Sequence, residues 1–275
     1  MPDRTTIAYT YDGSFAGLLC CIFDSYLRKE RPVEILLEGD PTFYPRRQIQ
    51  TDPAHAKRVW RSLLQISREA ADWVAAGWAS CAPNRETALY QFVRLLYQYG
   101  AKVTSLFADP AVDRVFRMVR TQRNEAHLYT ELLRFSEYGG GLVAVISPKC
   151  LVLPQLARHF ADRFPEEAFL IYDEAHRQGL FYRPYQWTIQ PVERLDLNRP
   201  EEGEQCLREL WQRYYDTISI QGRYNPKCRQ THCPKRFWKH MTEMEGCNPL
   251  ESSGGQQLAA PAPPVLPADA SIKIS

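Results

Sequence analysis

The chain has 275 residues, 44% hydrophobic and 24% charged, which is enough to bury a real core without disulfides or metals. Its 15 Tyr, 12 Phe and 6 Trp exclude a disordered or low-complexity chain. The formal net charge of +2 excludes a histone-like polycation and an acidic tail protein, but it hides one local imbalance.

In chain order, Ile7–Tyr11 reads as a first strand, followed by the turn Asp12-Gly13-Ser14. An amphipathic helix comes next, with Phe15, Leu18, Leu19, Ile22, Phe23, Tyr26 and Leu27 on one stripe. Asp12 or Ser14 can cap its first turn, and the same turn offers a helix N-terminus to an anion. Val33–Glu38 reads as a second strand before the breakers Gly39, Pro41 and Pro45. A helical block follows: one segment from Asp52-Pro53 to about Ala82 with a break inside it, a second over Thr87–Tyr99, and a third from Asp109-Pro110 to about Leu132.

The pattern then changes. Arg134–Tyr138 and Leu142–Ser147 flank three glycines, a hairpin signal, and Leu151–Phe164 reads as a helix. Ala168–Tyr172 and Leu180–Arg183 form a second expected hairpin, Trp187–Val192 adds a strand, and Glu201–Asp216 is a last long helix. Segregated helices and hairpins predict an α+β fold: an N-terminal strand–helix and helical block, then an antiparallel, hairpin-rich sheet with flanking helices. One domain is expected over residues 1–245. A disordered Pro/Ala-rich tail is expected over 246–275.

No apolar run suits a signal peptide or a membrane span, so a cytoplasmic protein with reduced thiols and no membrane contact is expected. Phosphate-loop, dinucleotide-binding, HExxH, GxSxG and CxxC motifs are absent from the sequence. Cys228, His232, Cys233, His240 and Cys247 contain ligand types, but CxxxHC is not a recognised zinc spacing. Neither a metal nor a cofactor is expected.

The local imbalance lies in residues 221–240. Arg223, Lys227, Arg229, Lys235, Arg236 and Lys239 occur there with no acid, while the first 220 residues net −1 and the last 35 net −3. These cations are interleaved with Tyr224, Phe237 and Trp238. Cations suit phosphates and flat rings suit exposed bases, so the segment is a nucleic-acid candidate. The structural alternative packs Phe237 and Trp238 on the core with the cations in water. A second surface is offered by Arg114, Arg117, Arg120 and Arg123, which drift around one helix.

Acid–base candidates are His127, one helical turn from Arg123; His159 and Asp162, at i and i+3; and Asp173, at a strand end. Each also has a bland reading as a surface, capping or turn residue.

Four stretches carry a family resemblance: Tyr11 to Leu19, Arg120 to His127, Leu153 to Phe164, and Asn225 to Trp238 with its closing Pro-Lys-Arg-Phe-Trp. Over about residues 7–243 the chain resembles a bacterial family of DNA repair or DNA metabolism proteins that carry a domain of unknown function. The resemblance implies association with a radical-SAM protein and kinship with chains joined to a uracil-DNA glycosylase-like domain. It transfers no catalytic residues, and marks Asp12, Arg123, His127, His159, Asp162, Arg236 and Trp238 as matching positions only. The present chain lacks the cysteine triplet of a radical-SAM enzyme, so a partner is expected to supply that cluster. The functional expectation is DNA binding through the basic aromatic segment, to single-stranded or damaged DNA. The alternative is a nucleic-acid-processing enzyme — glycosylase, lyase or nuclease — with a His/Asp site.

Overall fold

A computed structural model describes residues 6–138, 141–195, 202–218, 220–223 and 225–244. The first strand, β1 (Ala8–Tyr11), is buried along its whole length. Helix α1 (Phe15–Leu27) follows, capped by Ser14, whose hydroxyl accepts from the Gly17 N–H. Asp12 in turn accepts from the Ser14 N–H and hydroxyl and from Thr51. The Asp12-Gly13-Ser14 turn is therefore a side-chain cap. Strands β2 (Glu34–Leu37) and β3 (Arg46–Gln48) flank β1, both parallel to it, in the order β2-β1-β3. β3 has no sequence signal, because its polar Arg46, Arg47 and Gln48 form an edge. The β1 backbone recruits it, with flanking bonds from Ala8 N–H to Pro45 and from Ile49 N–H to Thr10, and Arg47 and Gln48 add side-chain bonds to Glu30 and Glu38.

The helical block comprises α2 (Pro53–Ile66), α3 (Arg68–Trp78), α4 (Arg85–Tyr99) and α5 (Pro110–Leu132). The break within the first expected segment is Ser67, which is extended at φ −160° and caps α3 through Ala70 N–H. Asp109 caps α5 just before Pro110.

The second sheet has the order β4-β5-β6-β7-β8: β4 (Ser136–Tyr138), β5 (Gly141–Ile146), β6 (Phe169–Asp173), β7 (Gln178–Arg183) and β8 (Gln186–Pro191). The fold class is α+β. One part of the expected topology is corrected: the sheet is mixed, since β5 and β6 run parallel. The cause is α6 (Leu153–Arg163), which returns the chain across the sheet so that β6 enters in the same direction as β5. The other three pairings are antiparallel. Helices α7 (Glu202–Ile218) and α8 (Pro226–His232) follow, then short 3-10 turns at Lys235–His240 and Thr242–Met244.

Two hydrophobic clusters fill the interior, and α5 serves both. Val112, Val115, Met118 and Val119 join the first, with Leu18, Ile22, Leu63, Trp73 and Phe92. Ala126 and Tyr129 join the second, with Ile146, Leu156, Phe160, Leu180 and Phe237. Among the described residues, no helix is long and apolar enough to cross a membrane. Cys20, Cys21, Cys81, Cys150, Cys206, Cys228 and Cys233 are free thiols. The tail expected over 246–275 lies outside the described residues.

Candidate functional site

Strands β5 and β6 present their carboxyl ends side by side, a common place for sites in parallel sheet segments. Beyond β5 come Ser147, Lys149 and Cys150; β6 ends on Asp173, followed by Glu174 and His176. Helix α5 contributes Glu125 and Tyr129, and the C-terminal segment contributes Arg236, Lys239 and His240. The result is a buried polar centre built from four separate stretches of chain.

Asp173 has no solvent exposure. Its carboxylate accepts from the Ala175 N–H at 3.0 Å, the His176 N–H at 3.1 Å and His176 Nδ1 at 2.7 Å. The hydrogen bond to Asp173 raises the His176 pKa above its ordinary value, against the opposing effect of burial. Glu125, also buried, accepts from the Lys149 N–H at 3.0 Å and the Cys150 N–H at 2.7 Å, and pairs with Arg236 Nη1 at 2.7 Å. Burial, then the Glu125 charge, drives the Tyr129 phenol upward, so it stays protonated.

At the rim, Ser147 Oγ lies 2.8 Å from His240 Nε2 and also bonds to Glu174. Lys239 pairs with the same Glu174. Burial lowers the His240 pKa, so the imidazole is neutral near pH 7. Burial pushes Glu174 up, but hydrogen bonds from Lys239 and Ser147, joined by the charge that His240 gains in the acid range, outweigh it and hold the carboxyl below its ordinary range. A neutral imidazole within hydrogen-bond reach of a hydroxyl is the minimum a general base needs.

The basic segment is divided by this centre. Arg236 pairs with the buried Glu125, and Lys239, itself exposed, pairs with Glu174 at the rim. Phe237 is buried edge-on against Tyr129, with ring centroids 4.8 Å apart. Trp238 is half-buried; its Nε1–H donates to the Cys233 carbonyl at 2.9 Å. The Arg229 guanidinium sits 4.7 Å from the Trp238 ring centre and Lys235 Nζ 5.9 Å. A base stacking on Trp238 would have to share that ring with two cations. Arg223, Lys227 and Lys235 are exposed. Tyr224 lies outside the described residues.

The four acid–base candidates do not come together. His127 is exposed on α5 and pairs with Glu131 at 3.1 Å. His159 and Asp162 are exposed on α6, the former with its ring against Phe160. Only Asp173 enters the polar centre. Of the α5 arginines, Arg114 donates to the Pro83 carbonyl at 2.9 Å and Arg117 pairs with Asp113, while Arg120 and Arg123 are exposed. Sequence reading passed over Glu125, Ser147, Glu174 and His176, and weighed His240 only as a metal ligand. The Asp173–His176 spacing was a usable signal. Glu125 and Ser147 had none, because their partners lie tens of residues away. Among the described residues, no group of three His, Cys, Asp or Glu is placed to hold a metal.

Fold and site thus define a mixed α+β protein with a polar centre at the carboxyl ends of two parallel strands, roofed by a basic C-terminal segment. Residues 83–243 match a family described as a domain of unknown function, DUF4130, and the chain belongs to that family. The match contains every residue of the polar centre. No curated protein and no solved structure matches the chain.

Proposed function

We propose that this protein binds nucleic acid along the outer face of its C-terminal segment and acts in DNA repair or DNA metabolism. The carrying observation is the division of the basic segment. Arg236 and Lys239 fasten it to Glu125 and Glu174, while Arg223, Lys227 and Lys235 remain exposed. A fixed array of outward cations suits phosphates better than a loose one, because less ordering entropy opposes contact. Arg229 and Trp238 add a stacked cation–ring pair, and Arg120 adds an exposed guanidinium group on α5. The sequence resemblance supports the DNA setting and a radical-SAM partner. The test is a salt titration on single-stranded and duplex oligonucleotides with the double variant Lys227→Gln, Lys235→Gln. The slope of log affinity against log salt should fall by about 1.4 to 1.8. An unchanged slope rejects the assignment.

A second reading is favoured by one contact, Ser147 Oγ to His240 Nε2 at 2.8 Å, with Glu174 beside both. On that reading the protein processes nucleic acid at the polar centre, with His240 as base. Incubation with intact, uracil-containing and abasic strands should then give products that Ser147→Ala and His240→Asn abolish. Absence of any product from the unaltered protein removes this reading.

A further inference from the structure

A groove of about 560 Å³ is lined by residues of the elements that carry both hydrophobic clusters. Its floor is apolar. Phe15, Ala75 and Trp78 come from the first cluster's elements, and Leu151 and Ile189 from the second's. Two arginines, Arg123 of α5 and Arg158 of α6, stand on its lining, with Asp72, Gln155 and Gln178 as the other polar groups. Both arginines are exposed, and neither has an ion pair or hydrogen bond among the described residues. Two guanidinium groups face one carboxylate, so the groove is net positive.

The volume falls within the range that holds small ligands, and the position between two packed units is a frequent one for such sites. The apolar floor with two partly exposed rings suits a flat heterocycle. Paired guanidinium groups suit a phosphate, which they can hold through charge-assisted bonds. Asp72 and the two glutamines supply acceptors and donors for the edge of a base.

We propose that this groove is a nucleotide site, with the base on the Phe15–Trp78 floor and the phosphate on Arg123 and Arg158. The choice of ligand class rests on the nucleic-acid reading above, but the site is separate from the C-terminal segment. The same chemistry has two sources, a free nucleotide or a base turned out of a strand.

Calorimetric titrations with AMP, dTMP, thymidine, inorganic phosphate and a short single-stranded oligonucleotide test the proposal. Arg123→Gln, Arg158→Gln should weaken binding of the nucleotides or the oligonucleotide at least tenfold. Thymidine and phosphate, each half of the ligand, should bind more weakly than dTMP. Saturable binding of AMP or dTMP assigns a free nucleotide; binding of the oligonucleotide alone assigns a base within a strand. Ala75→Leu, which adds bulk to the floor, should abolish both while the thermal melt stays cooperative. Lys227→Gln, Lys235→Gln should spare mononucleotide affinity and alter only the salt slope, so failure of the C-terminal interface and failure of the groove are told apart. No saturable binding of any probe, or binding indifferent to both groove variants, overturns the proposal.

Discussion

Arg236 Nη1 lies 2.7 Å from a carboxylate oxygen of Glu125, and this pair ties the most basic segment of the chain to an acid buried in the middle of α5. Arg236 therefore has a structural task before it has any task toward a ligand. Replacing it with Ala leaves the Glu125 carboxylate buried with two backbone donors but no countercharge. Because the arginine is 37% exposed, solvent recovers part of the loss. The expected cost is about 1.5–3 kcal/mol by urea denaturation. Glu125→Gln in the same background should recover only part of it, because the amide NH2 would face one of the two backbone donors, Lys149 N–H or Cys150 N–H. A double-mutant cycle with no coupling would show that the pair is merely adjacent.

Two histidines of the polar centre give opposite pH dependences. His176 is raised above 6.5 by Asp173, so the folded state binds the extra proton. Its stabilisation is full below about pH 6.5 and is lost as pH rises through the folded value. His240 is lowered by burial, so its contribution is present above 6.5 and is lost as pH falls toward the folded value. His176→Asn should remove the alkaline decline, and His240→Asn the near-neutral acid limb. Glu174, held low, adds a further loss below 4.5 in both variants. Stability curves by chemical denaturation between pH 4 and 9 read all three; identical curves for the two variants contradict the assignment.

Gly17 sits where α1 begins, against the Asp12–Thr51 cap. A Cβ there would meet the Asp12 carboxylate, with Tyr11 Cδ2 at 2.7 Å and Thr51 Oγ1 at 2.8 Å. Gly17→Ala should cost about 1–3 kcal/mol despite the better helix propensity of alanine. A neutral or stabilising result in a thermal melt would mean that the cap yields.

Glu243 is buried and joins three elements: its carboxylate accepts from Arg134 Nη2 at 2.7 Å and from Trp211 Nε1 at 3.2 Å. Helix α7 is held to the body partly by this clamp and by the bond from Gln212 to the Thr242 carbonyl. Glu243→Ala should speed hydrogen exchange across α7, with little change in α1 to α4. Uniform exchange across the chain would place the anchor of α7 elsewhere.

Periodicity and punctuation alone carried most of the elements. The stripe from Phe15 to Leu27, the Asp109-Pro110 start of α5 and the glycines before β5 are local signals, and local signals are written in consecutive residues. The basic charge of residues 221–240 was likewise complete in the sequence. Tertiary structure decided what those charges do. Whether a cation faces water or an acid depends on partners distant in the chain, as Arg236 and Glu125 are, and no local pattern encodes such a meeting. The same holds for β3, whose polar residues pair because β1 lies beside them. It holds too for the polar centre, where α6 aligns two strand ends and brings Ser147 and His240, 93 residues apart, within hydrogen-bond reach.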